Sequence, residues 1–252
     1  MFGWFKPLCP VDAEAKRWIE CRLRWLSGQF GQETFTRRAL ILPTRDFFPD
    51  PIDGSFASVR NLLDQVCRYM DVDPDRVELE LFKNKNNLWL VNDDGKYLPI
   101  GAAGLYDKRH DKTVIHIETS EMSNLIGLVG TMAHEISHLR LMGEERVSGN
   151  EYDNELLTDL TAVFHGFGIF LGNLPRNWDS QYSLWPGTTL KRPEYMTLPM
   201  FAYAIAHTAW FRGERKPSWY PFLSFDMKPN FKQAIRYLME THDSTFAPQR
   251  MK

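Results

Sequence analysis

Thr131-Met132-Ala133-His134-Glu135-Ile136-Ser137-His138-Leu139-Arg140-Leu141 holds two histidines four residues apart, with a carboxylate directly after the first. On an α-helix, positions four apart lie about 40° apart around the axis and one turn along it, so both imidazoles reach one ion. Neutral imidazole is a common Zn²⁺ ligand, and a glutamate beside the metal can take a proton from a metal-activated water. His-Glu-x-x-His also arises by chance on polar helix faces, so its meaning depends on what the flanking chain adds.

Working outward, the helix that carries this stretch is expected over about residues 122–142, closed by Gly143. Gly127 and Gly130 share the His134 side. A helix-interior glycine costs roughly 1 kcal/mol against alanine, so two on one side predict close approach by a neighbour. Upstream, Thr113-Val-Ile-His-Ile-Glu118 is β-branched and alternating, and reads as a strand. His116 is a strand-face residue there rather than a ligand. Downstream, after a polar loop, a helix is expected over about 154–171, opening on Asn154-Glu155-Leu156-Leu157-Thr158-Asp159. Glu155 and Asp159 are again four apart and face the same way. One can bind a metal while the other accepts the free ring N–H of a ligand histidine, fixing its tautomer. Two other readings compete: Asp159 as the ligand instead of Glu155, or a solvated helix face with no ion. On this single helix Gly166 falls within about 20° of Glu155, and His165 about 80° away as a structural residue.

These two elements resemble the gluzincin group of zinc metallopeptidases, which carry HExxH and, about twenty residues on, Asn-Glu-x-x-Ser/Ala-Asp on the next helix. The matching residues are His134, Glu135 and His138, then Asn154, Glu155, Thr158 and Asp159. The resemblance implies Zn²⁺ held by His134, His138 and Glu155, with Asp159 supporting a ligand from behind and Glu135 as general base. It covers about residues 122–171 only. Arg140 departs from the pattern, since such helices more often continue with an apolar or small residue. By the same resemblance Thr113–Glu118 corresponds to the edge strand of a zincin sheet, where a peptide substrate pairs by strand addition.

The rest of the chain alternates short elements. Helices are expected over about 12–30, 55–70, 198–211 and 231–240, and strands over 38–43, 77–82 and 88–92, with 101–106 extended as well. In the first helix Glu20, Arg22 and Arg24 are assigned to the outer side. Turns are placed at 83–87 and 93–95, loops at 47–54 and 173–192, an aromatic-rich connection at 217–229, and a loose tail from Thr241. The aromatics of the last third, among them Trp178, Trp185, Trp210, Trp219 and Tyr220, either line a cleft or fill a core. The expected architecture is α+β and zincin-like: one domain over 1–252, with a small mixed sheet in 1–120 and a mostly helical 121–252 carrying the metal site.

At 252 residues, 43% hydrophobic and 25% charged, the chain has an ordinary globular composition with room for a substantial core. A net charge of -2 with scattered Lys and Arg gives no electrostatic case for nucleic acid or an anionic membrane. The amino terminus lacks signal-peptide character, and no apolar run is long enough to span a bilayer. Cys9, Cys21 and Cys67 form no CxxC and no disulfide framework, which fits a reducing, cytoplasmic setting. Cys21 and Cys67, within helical patterns, are assigned to buried filler.

The expected chemistry is hydrolysis of a peptide or protein substrate, with zinc as cofactor. Hydrolysis also needs a donor that steadies the tetrahedral oxyanion. Tyr203, and after it His207, four apart on the apolar 198–211 helix, are the candidates, against a reading of both as core residues with satisfied polar tips. The alternative function is a zinc-containing regulatory or binding protein on the same fold; intact Glu135 argues against it, because a pure binding module needs no base. A third reading is a metal-free interaction scaffold.

Overall fold

The computed structural model describes residues 7–82, 90–91, 97–98, 104–109, 112–174 and 182–248. The protein is α+β, with more helix than strand. Its helices in chain order are α1 (Ala13–Phe30), α2 (Gln32–Thr36), α3 (Phe56–Tyr69), α4 (Leu125–His138), α5 (Asn154–Phe164), α6 (Gly168–Asn173), α7 (Leu198–Phe211) and α8 (Met227–Thr241). The strands are β1 (Val77–Phe82), β2 (Leu90–Val91), β3 (Tyr97–Leu98), β4 (Gly104–Arg109), β5 (Lys112–Glu118), β6 (Tyr182–Leu184) and β7 (Lys191–Pro193). Two compact units form: Pro43–Gly149, and Met1–Leu42 with Asn150–Lys252. Helix α4 belongs with the strands that precede it, in the Pro43–Gly149 unit.

In the Pro43–Gly149 unit, Ser55 caps α3 by accepting the Ser58 N–H at 3.1 Å, and Val59, Leu62, Leu63, Val66 and Cys67 form its buried stripe. The main sheet has the order β1-β5-β4, with β1 parallel and β4 antiparallel to β5. This corrects the expected edge position of Thr113–Glu118: β5 is the central strand, with both sides of its backbone already paired. Its Val114, Ile115 and Ile117 are fully buried, which accounts for the β-branched composition. His116 faces Glu80 of β1, with Nδ1 3.3 Å from Oε2, and is a strand-face residue as expected. The expected 88–92 strand survives as the short β2, paired with β3. The turns at 83–87 and 93–95 lie outside the described residues.

Asn124 caps α4 through the Gly127 N–H, and α4 packs against α3, β4 and β5. Directly after His138 the helix widens into a π-turn over Leu139–Gly143, in which the Glu144 N–H reaches back to the Leu139 carbonyl at 2.9 Å. Arg140, the odd residue at this helix end, is held by Glu144 Oε1 at 3.0 Å and by the Asp71 carbonyl. Its aliphatic stem lies inward while the charge is paired.

In the other unit, Asp12 caps α1 by accepting from the Glu14 and Ala15 N–H groups. Helix α7 is buried on all sides by α1, α2, α5, α6 and α8, which explains its near-continuous apolar sequence. The segment at 38–43 is not a sheet strand. It contributes one backbone bond, Ile41 N–H to the Gly166 carbonyl at 3.0 Å, and buries Leu40 and Ile41.

That contact also breaks the expected 154–171 helix in two. Gly166 has φ +97°, a left-handed geometry, and a Cβ there would lie 3.0 Å from the Ala39 carbonyl oxygen. Helix α5 ends, the chain turns at Gly166, and α6 starts at Gly168, so Gly166 shares no helix face with Glu155. The stretch expected as a loop over 173–192 contains strand β6 and most of β7, an antiparallel pair. The tail is not loose either: Phe246 is buried and Thr245 is bonded to Glu20. Cys67 is buried as expected, but Cys21 is exposed; Cys9, Cys21 and Cys67 are all free thiols. Trp185, Trp210 and Trp219 are buried and so fill the core; Trp178 lies outside the described residues. No helix among the described residues is long and apolar enough to cross a membrane.

Candidate metal centre

The helical spacing of His134 and His138 has the consequence read from the sequence. Their Nε2 atoms stand 3.2 Å apart, with ring centroids at 4.9 Å and the rings nearly perpendicular. Zinc–nitrogen bonds of about 2.0–2.1 Å at the tetrahedral angle place two nitrogens about 3.3–3.4 Å apart. The pair stands slightly inside that separation, at a distance that is also a hydrogen-bonding one. Helix α4 can present it this way because Leu128, Val129, Met132, Ala133 and Ile136 anchor the opposite, buried face. Glu135, between the histidines in sequence, is itself only 6% exposed.

Glu155 lies in the first turn of α5, and what precedes it is firmly held. Asp153, fully buried, accepts hydrogen bonds from Trp18 Nε1 and from Arg22 Nε and Nη2, the last two at 2.8 and 2.7 Å. Burial by itself lowers the Arg22 pKa; the hydrogen bonds and negative charge of Asp153 outweigh it and raise the value, so the guanidinium stays charged. One turn along α5, buried Asp159 accepts the Met196 backbone N–H through Oδ2 at 3.0 Å.

The ligand atoms of His134, His138 and Glu155 all lie within 4.8 Å of one another. Among the described residues this is the one cluster of three or more His, Cys, Asp or Glu side chains so arranged. Two imidazoles and one carboxylate are a donor set that suits a borderline divalent cation and leaves a fourth position for water or substrate. The residues present thus fit the cation that the sequence implies.

A cleft of about 260 Å³ borders Glu155. The sequence did not reveal it, because its other walls come from the β6–β7 pair and the turn before α5: Tyr152, Tyr182, Ser183, Arg192 and Glu194. One wall is Arg192, whose guanidinium lies 5.5 Å from the Tyr152 ring centroid and donates from Nη2 to Ser183 Oγ. Arg22, Asp153 and Arg192 are therefore site residues missed in the sequence. For Asp153 a weak signal existed, an acidic residue directly before Asn154-Glu155.

Tyr203 and His207 require a correction. The Tyr203 hydroxyl donates to Glu20 Oε1 at 2.7 Å, and both side chains are fully buried. His207 Nδ1 pairs with the Tyr203 carbonyl at 2.9 Å and Nε2 with Ser244 Oγ at 3.1 Å. The hydroxyl expected to face an oxyanion is spent on a core carboxylate. Glu20, expected on the outer side of α1, is that carboxylate: 1% exposed, it also accepts the Thr245 N–H and hydroxyl and pairs with Lys16 at 3.0 Å. Burial raises the Glu20 pKa, but the Thr245, Tyr203 and Lys16 hydrogen bonds bring it below its ordinary value. The two aromatic residues are core groups with satisfied polar tips. His165 is buried against Phe30 and Phe164, as expected of a structural histidine, and His242 is an exposed left-handed residue after α8.

No family model, curated protein or solved structure matches the chain.

Proposed function

We propose that the chain is a zinc-dependent metallopeptidase of gluzincin type, on a zincin-like fold, in which His134, His138 and Glu155 hold the ion. The observation that carries the reading is the convergence of those three ligand atoms, two of them close to the spacing of a zinc tetrahedron. Zinc would supply Lewis acidity, lowering the pKa of a water and polarising the scissile carbonyl. Glu135, adjacent to the first ligand, takes the water proton and passes it to the leaving amine. Asp159 orients a ligand imidazole while Met196 holds its other oxygen. The substrate is a peptide or protein.

Purified protein should carry about one zinc per chain and cleave members of a peptide library. Glu135→Gln should keep the zinc and lose about 10²–10⁴-fold in kcat. Absence of zinc at micromolar supply would overturn the metal reading. A Glu135→Gln variant as active as wild type would overturn the base assignment.

A further inference from the structure

The geometry points to Arg192 as a recognition residue for a substrate carboxylate, in the cleft beside Glu155. Three observations combine. Arg192 sits opposite Ser183 in the β6–β7 register, and the serine hydroxyl takes one Nη2 proton. The Arg192 Cζ lies over the Tyr152 ring, 5.5 Å from its centroid. With the head group so held, Nε is buried from solvent and has no hydrogen-bond partner among the described residues.

Arginine is a planar fork of donors whose charge is never removed near neutral pH, and it matches the two oxygens of a carboxylate. Such a head group normally sits against an acidic side chain. Among the described residues Arg192 forms no ion pair, although Glu151, Glu155 and Glu194 line the same cleft. Glu151 is engaged by Arg22 at 3.1 Å, and Glu155 is the proposed metal ligand. Only Glu194 remains to oppose an incoming anion, and it lies two residues along the chain from Arg192. Arg192 lines the cleft, so a guanidinium without an ion-pair partner there is a place for an incoming anion to bind. A neutral carbonyl would satisfy one donor; a carboxylate satisfies the fork and the charge together.

Two parts of a peptide carry this group: the free C-terminus and an acidic side chain. The placement next to the reacting bond rests on the peptidase reading, whereas the carboxylate contact does not. Binding is therefore measured directly, by calorimetry on chelated and on zinc-loaded Glu135→Gln protein, with metal content determined separately. The probes are acetyl-Ala-Ala with a free carboxylate, its C-terminal amide, and acetyl-Glu-Ala-amide with its Gln counterpart.

At least one acid is expected to bind about tenfold or more tightly than its amide partner, and the arm that discriminates identifies the source of the carboxylate. Arg192→Gln should abolish the difference. Arg192→Lys, which keeps the charge and loses the fork, should leave a reduced one. Glu194→Gln should preserve or enlarge it. Circular dichroism melts certify that the variants are folded, and Ser183→Ala, which frees the guanidinium without deleting it, serves if Arg192→Gln does not fold; it should shrink the difference. Equal binding of acids and amides, or discrimination that survives Arg192→Gln, overturns the inference. Discrimination by a protein that takes up no zinc when supplied with it would sink the peptidase reading alone; zinc and cleavage without discrimination would sink this inference alone.

Discussion

Arg22 grips Asp153 through both Nε and Nη2, and so fixes the chain two residues before Glu155. The pair joins α1 to the start of α5 across more than a hundred residues of sequence. Asp153 is fully buried, Arg22 largely so, and Trp18 adds a third donor. A buried charge held this way is weak evidence of net stabilisation, but strong evidence that neither partner can be removed alone. Its consequence for the candidate site is positional, because the first turn of α5 cannot drift while Asp153 is clamped.

Removing the acid should therefore be expensive. Asp153→Ala is expected to lower unfolding free energy by about 3–5 kcal/mol, since Arg22 and Trp18 lose their acceptor in a buried site. Urea unfolding measures it. A loss under about 1 kcal/mol would show that water replaces the carboxylate and that the clamp is dispensable.

The two carboxylates of α5 should separate in a zinc titration. Glu155→Gln removes a ligand and is expected to weaken zinc binding more than Asp159→Asn does. For Asp159→Asn the expected loss is about 10–100-fold, the range for a group that orients a ligand imidazole. The asparagine oxygen can still accept the Met196 N–H, so the fold should survive. The reverse order of effects would exchange the roles of Glu155 and Asp159.

Acid should weaken the unit built on α7 before it reaches ordinary carboxylate range. Burial depresses the His207 pKa to about 4, against which the Tyr203 carbonyl and the Glu20 charge pull upward only in part. The folded value lies below the unfolded one of about 6.5, so the unfolded chain binds the proton more readily. Stability is complete above pH 6.5 and falls between there and about 4, by up to roughly 3 kcal/mol. Glu20, also depressed, adds a second loss below its unfolded pKa of about 4.3. His207→Gln should flatten the fall between pH 6.5 and 4 in urea midpoints. An unchanged slope would assign it to another group.

Gly166→Ala should be destabilising by about 1–3 kcal/mol. The φ of +97° disfavours any side chain, and the new methyl would meet the Ala39 carbonyl oxygen at 3.0 Å. Thermal unfolding tests it. A neutral result would mean that the turn between α5 and α6 relaxes without the Ile41–Gly166 bond.

Much of this protein was determined locally. The caps at Asp12 and Ser55, the stripe of α3, the extent of α7, the strand β5 and the facing pair His134–His138 all follow from neighbours within a few positions, where helix and strand periodicities act. The grouping of Glu155 with those histidines was implied by the gluzincin resemblance, while the four-residue spacing alone left Asp159 as an equal candidate. What sequence could not decide was which polar groups go inside and where sheets place their strands. Glu20 reads as a surface acid until Thr245, 225 positions away, bonds it in the core. Tyr203 and His207 read as donors for a reaction until that same acid claims the hydroxyl. Helix α5 ends because a distant carbonyl at Ala39 admits only a glycine, and β5 is central because β1 and β4 both choose it. Each depends on a partner remote in sequence, and the free energy of burying a polar or charged group is set by that partner rather than by the residues beside it.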